Sequence, residues 1–174
     1  MRNIKKIFTL VLSLILLFAI GCDTESKTGG KVTPPSEPET IEEIDAKDFP
    51  TELFGTYRDE RLPNEDKFRN AKVSLFGQDI WIKGYQKFRK KDGSAEGIQD
   101  MDERIKKWKK TTKGGKIIKV EGESLYRRLN EKNEETIVAK ATITFDYESK
   151  TVSLIFTAYT PDGVDASFYG KKID

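Results

Sequence analysis

At 174 residues the chain has room for one ordinary domain. Lysine and arginine number 31 against 29 aspartates and glutamates, but residues 1–21 hold three basic groups and no acid, which leaves 28 against 29 in the rest and argues against nucleic acid as a partner. A single cysteine and no histidine exclude an intramolecular disulfide and a Cys-rich zinc site, and with no Gly-x-Ser-x-Gly they remove the common nucleophile and base arrangements of an enzyme.

Taken in chain order, Met1–Lys6 is a short basic stretch, and the 14 residues from Ile7 to Ile20 are apolar apart from Thr9 and Ser13. That run is shorter than the roughly 20 residues of a spanning helix and fits the apolar core of an export signal, so residues 1–21 read as a signal peptide. Ala19-Ile20-Gly21-Cys22 then resembles the lipobox of bacterial lipoproteins, with Ala19 at a position where the family most often carries Leu. The resemblance implies diacylglyceryl transfer to the Cys22 thiol, cleavage after Gly21 and acylation, for example with palmitate, of the new amino group. The covalent lipid on Cys22 is the only cofactor implied. Two or three acyl chains, at about 0.8 kcal/mol per buried CH₂, make dissociation from a bilayer slow. The expected location is the cell envelope, lipid-anchored to a bacterial membrane, at the outer membrane or cell surface.

Residues 22–48, rich in Thr, Ser, Pro, Gly and Glu, read as a lipidated flexible tether, since they bring too little apolar surface to offset their ordering entropy. The alternative for Ile41–Phe49 is a short helical turn packed on the domain. From Phe49 onward, residues 49–174 form the expected domain. Leu53–Arg58, Lys72–Phe76 and Ile80–Phe88 read as strands, the last with a bulge or bend at Gly84. Met101–Lys110 places Ile105 and Trp108 three apart among charges and reads as a short amphipathic helix, with Asp100 as cap and Glu103 at the capping-box position. Ile117–Leu129 reads as strand broken at Gly122. Ile137, Ala139, Ala141, Ile143, Phe145 and Tyr147 alternate strictly with polar neighbours, the pattern of a half-buried strand. Turns at ESK and PDG lead on to Thr151–Tyr159 and Val164–Ile173, which makes a three-strand antiparallel meander.

The expected fold is therefore mainly β, a small antiparallel β-barrel or curled sheet with one short helix. Leu53-Phe54-Gly55-Thr56-Tyr57 resembles the first-strand Gly-x-Trp motif of the lipocalin and calycin barrels, with Tyr57 in place of Trp. The resemblance implies that Tyr57 packs near the first strand to close the barrel floor, and that the interior binds a small apolar ligand.

Two constellations are candidate sites. Residues 92–103 offer Asp92, Ser94, Glu96, Asp100 and Glu103 at the ligand positions of a twelve-residue calcium loop, with Gly97 at its sharp turn. Glu96 is long for its position, and a Gly-rich loop leading into a capped helix is the alternative. Lys106, Trp108, Lys109 and Lys110, in a run continued by Lys113 and Lys116, suit an anionic lipid or glycan surface, or form a plain solvated face. The aromatics from Phe54 to Phe168 either line a cavity or fill a core. The functional expectation is a non-catalytic binding module on a membrane anchor, taking a small apolar ligand in its barrel. The alternative is a surface interaction or adhesion protein with a solid core, contacting another envelope or host protein.

Overall fold

The computed structural model describes residues 37–129 and 132–174. Ten strands form one antiparallel sheet: β1 (Glu39–Asp45), β2 (Gly55–Arg58), β3 (Asn70–Phe76), β4 (Asp79–Lys90), β5 (Glu96–Ile105), β6 (Lys107–Lys113), β7 (Lys116–Leu129), β8 (Glu135–Asp146), β9 (Thr151–Ala158) and β10 (Val164–Lys172). The sheet order is β1-β6-β7-β8-β9-β10-β2-β3-β4-β5. Among the described residues helix is confined to α1 (Asp66–Arg69) and two single 3₁₀ turns, Ala46–Asp48 and Thr51–Leu53. Among the described residues no helix is long and apolar enough to cross a membrane.

Two features curl this sheet. β2 is only four residues long, so beyond its end β10 pairs directly with β4, from Val164↔Lys90 to Ser167↔Lys87. At the other side β5 and β6 are one bent strand with only Lys106 between them, its first half paired with β4 and its second with β7 and β1. β5, at one end of the strand order, thus runs directly into β6, the second strand from the other end. The Tyr126 hydroxyl on β7 donates to Glu103 Oε1 on β5 at 2.6 Å, a side-chain bridge across that seam.

The bend overturns the expected helix over Met101–Lys110. Met101, Glu103 and Ile105 point inward at strand spacing, then Lys106 shifts the phase by one residue, and Trp108 and Thr111 take up the inward positions. A phase slip in a strand places Ile105 and Trp108 three apart, the interval of a helix face. Asp100 therefore caps nothing, and Glu103 points into the interior. The described helix, α1, precedes β3 instead.

Part of the segment expected as tether, residues 39–48, is instead folded. Residues 39–45 pair with β6 over their full length, Ile44 and Ala46 are buried, and the folded domain starts before Phe49. Glu-rich Glu39–Asp45 becomes a strand because β6 offers it a lysine-rich edge, a long-range cause that local composition does not carry. Breaks do not occur at Gly84 or Gly122: β4 and β7 run through both, and the register shifts lie at Thr111/Thr112 and Tyr126/Arg127. Both glycines answer a close approach. A Cβ at Gly84 would lie 2.8 Å from the Ala71 backbone, and one at Gly122 2.7 Å from the Trp108 ring.

One end of the core is aromatic. Phe49 lies 4.9 Å from Trp108, 5.4 Å from Phe145 and 5.6 Å from Phe54, ring centroid to centroid. Tyr57 is fully buried, edge-on to Phe145, and its hydroxyl donates to Leu53 O at 2.9 Å. The expected alternation holds from Ala139 to Phe145, where Ala139, Ala141, Ile143 and Phe145 face inward, joined by Val152, Leu154 and Ala158 of β9 and Ala166 and Phe168 of β10, whereas Ile137, beyond the register shift, is exposed and Tyr147 lies past the end of β8.

Candidate interaction surface

On the outer face of β3, β4 and β5 one aromatic group stands clear of this core. The pairing register puts Ser74, Trp81 and Arg104 in one cross-strand row and Lys72, Lys83 and Asp102 in the next. Trp81 Nε1 donates to Asp102 Oδ1 at 2.6 Å, which fixes the plane of the indole. The Arg104 guanidinium carbon lies 5.2 Å from the Trp81 ring centre and 5.3 Å from that of Phe76, and Lys83 Nζ lies 5.0 Å from Trp81. Phe76 and Trp81 are 5.2 Å apart, and Phe76 is 53 % exposed. Exposed cation–π contacts of this kind contribute on the order of 0.5–1 kcal/mol each and hold the side chains in one arrangement before any partner arrives.

Lys72 and Lys83 oppose each other directly, and neither joins an ion pair among the described residues. Like charges across a ladder are unfavourable for the fold. By sequence alone Phe76 and Trp81 rank among residues for a core or cavity. Their opposition to Asp79 and Arg104 on adjoining strands becomes visible only with the register.

The calcium-loop residues are not brought together. Asp92 and Ser94 sit in the β4–β5 turn, where Ser94 N donates to Asp92 Oδ1 at 2.9 Å and holds that carboxyl below its ordinary range. Glu96 and Asp100 follow on the exposed side of an extended β5, opposite Arg89 and Tyr85, while Glu103 turns to the interior opposite Ile82. Among the described residues no group of three or more acids is arranged to hold a metal ion.

Burial raises the Glu103 carboxyl above its ordinary range, against the opposing pull of the Tyr126 hydrogen bond. A raised folded-state value means that its favourable contribution is complete below the unfolded value near 4.5 and is lost as pH rises through the folded one. Thermal midpoints measured from pH 4 upward are expected to show that loss in the wild type and not in Glu103→Gln.

The basic cluster is also rearranged. Trp108 is 1 % exposed and its Nε1 donates inward to Ile105 O at 3.2 Å, so it cannot reach a surface ligand. Lys107 pairs with Asp45 at 2.8 Å and Glu43 at 3.5 Å, Lys110 with Glu42, and Lys113 with Glu39 at 3.8 Å. Lys106 and Lys109 are exposed, and the Lys106 carbonyl accepts from Ala46 N. Most of this row is therefore already faced by the acids of β1.

Among the described residues two of the depressions are open to solvent. One of about 260 Å³ lies among Glu43, Lys107, Lys109, Glu121, Glu123 and Thr142, and one of about 380 Å³ is lined by Glu52, Ser149, Lys150, Lys171, Lys172, Ile173 and Asp174. Inside the sheet, Gln86 Oε1 and Glu103 Oε2 are buried without a hydrogen-bond partner. Cys22, the expected lipidation residue, and residues 1–21, the expected signal peptide, lie outside the described residues. Compared with protein-family models, with curated proteins and with solved structures, the chain finds no match.

Proposed function

We propose that this is a lipoprotein of the bacterial envelope, held at the membrane by acyl chains on Cys22, whose curled-sheet domain is a non-catalytic module that contacts another envelope or host protein through its outer face. The observation that supports the contact reading is the prearranged Phe76–Trp81–Arg104 group outside a core filled by Tyr57, Trp108, Phe145 and Phe168. Tryptophan and arginine dominate protein-contact hot spots because they combine large desolvated area with directed polar atoms. The lipobox-like sequence at Ala19–Cys22 supports the anchor.

The test has two arms. Labelled palmitate is expected in the wild type and absent in Cys22→Ser, and label persisting in the mutant refutes the anchor. Photo-cross-linking from position 78, beside Phe76, in intact cells is expected to give a discrete protein adduct that falls at least tenfold in Trp81→Ala/Arg104→Ala. An undiminished adduct assigns the contact elsewhere.

A second reading, a small apolar ligand inside the sheet, has the unpartnered Gln86 and Glu103 oxygens in its favour. Saturable uptake of a fluorescent fatty acid, weakened by Gln86→Leu, is the expected result under that reading.

A further inference from the structure

Strand β1 is attached in an unusual way. Its seven residues pair in full register with β6, yet Glu39–Glu43 are all exposed and only Ile44 is buried. Beyond the backbone ladder and the burial of Ile44, its hold consists of the ion pairs of Lys107, Lys110 and Lys113 with Asp45, Glu43, Glu42 and Glu39. Exposed pairs of this kind contribute little individually and weaken with salt. The chain just after β1 is fixed independently, through the buried Ala46, Phe49 and Leu53 and the bond from Ala46 N to Lys106 O at 2.9 Å. Release of β1 therefore withdraws Ile44 from its place opposite Trp108 and leaves Ala46, Phe49, Leu53 and the rest of the core cluster in place.

Release uncovers the edge of β6, a row of free backbone donors and acceptors flanked by lysines whose acids have departed. We propose that this edge is a docking site for an acidic, extended segment of a partner protein, which adds as a strand, and that β1 is the resident competitor occupying it. The chemistry of the partner is read from the occupant already seated there. Glu-Thr-Ile-Glu-Glu-Ile-Asp places acids opposite Lys107, Lys109, Lys110 and Lys113 and sets Ile44 opposite Trp108. A competing strand meets the same demands: carboxylates along its length and one branched apolar side chain near its C-terminal end. Main-chain pairing supplies affinity and the lysine row supplies selection against neutral or basic strands. This goes beyond the contact surface at Trp81 and does not rest on it.

The test uses the full chain in mild detergent and, as probe, a fluorescein-labelled synthetic peptide of residues 37–46. In Glu39→Gln/Glu42→Gln/Glu43→Gln the resident strand keeps its ladder and loses most of its charge. This variant is expected to bind the probe at least tenfold more tightly than wild type at low salt, and to lose binding in 1 M NaCl or when Lys110→Glu/Lys113→Glu is added. Hydrogen exchange on the wild type carries the test even where the variant fails to fold: β1 amides are expected to exchange faster than those of β8, and faster still in high salt. A folded triple variant that ignores the probe overturns the proposal, as does protection of β1 equal to that of β8. A concentration-dependent dimer that accounts for the probe signal also overturns it, in favour of β1 exchange between copies of this chain.

Discussion

Trp108→Ala is expected to lower the stability of the domain by about 3–5 kcal/mol, the range for removing a large buried aromatic. Urea unfolding should show a lower midpoint with an unchanged slope. The indole fills the space between Phe49, at 4.9 Å, and Phe145, at 5.8 Å, and its face lies against the bare backbone of Gly122. No side chain stands ready to fill the vacated volume from the β7 side, because glycine has none. The converse change supports the same geometry: Gly122→Ala would press a methyl to 2.7 Å from the ring, with an expected cost of about 1–3 kcal/mol. A surface tryptophan would tolerate both substitutions.

Asp59→Ala is expected to cost about 3 kcal/mol at pH 7, because several donors lose one buried acceptor group. Asp59 is fully buried, and its carboxylate accepts from Arg61 N at 2.9 Å, from the Arg61 guanidinium at 2.6 Å and from Tyr169 N at 2.8 Å. It thereby ties the chain after β2 to β10, while the Arg61 guanidinium carbon stacks 4.2 Å above the Tyr169 ring. Burial alone would raise this carboxyl, but the Arg61 and Tyr169 hydrogen bonds and the Arg61 charge outweigh it, and the net shift is downward from 3.8. A lowered folded-state value means the stabilisation is fully present above the unfolded value and is lost as pH falls through the folded one. Urea midpoints at pH 7 and pH 3 should converge in Asp59→Asn relative to wild type. An unchanged acid sensitivity in that variant would assign the acid transition to other carboxylates.

The strands that a local reading of the chain recovers are those whose burial follows one period. On β8 every second residue from Ala139 to Phe145 meets the core, and β9 and β10 follow it through turns that their own residues specify. β1, β5 and β6 escape that reading for two different reasons. β5 and β6 share a phase slip at Lys106 that imitates helical spacing, and β1 is acidic and exposed because it is a guest on a lysine-bearing edge far away in sequence. The candidate surface was hidden for a third reason. Phe76, Trp81, Lys83, Asp102 and Arg104 become neighbours only through register, whereas the conspicuous lysine run beside Trp108 lies where most of the charge is already answered. Composition shows how many charges there are, whereas pairing decides which of them remain free to act.

The plug formed by Ala46, Phe49 and Leu53 stays seated when β1 unpeels, so that Ile44 is the one core side chain β1 takes with it among the described residues. Its seven residues, once extended, pay out up to about 23 Å of additional chain on the side toward Cys22. Under the proposed anchoring at Cys22, occupation of the β6 edge by a partner would thus lengthen the chain between lipid and domain, so that capture and a longer radius of action would come from the same event.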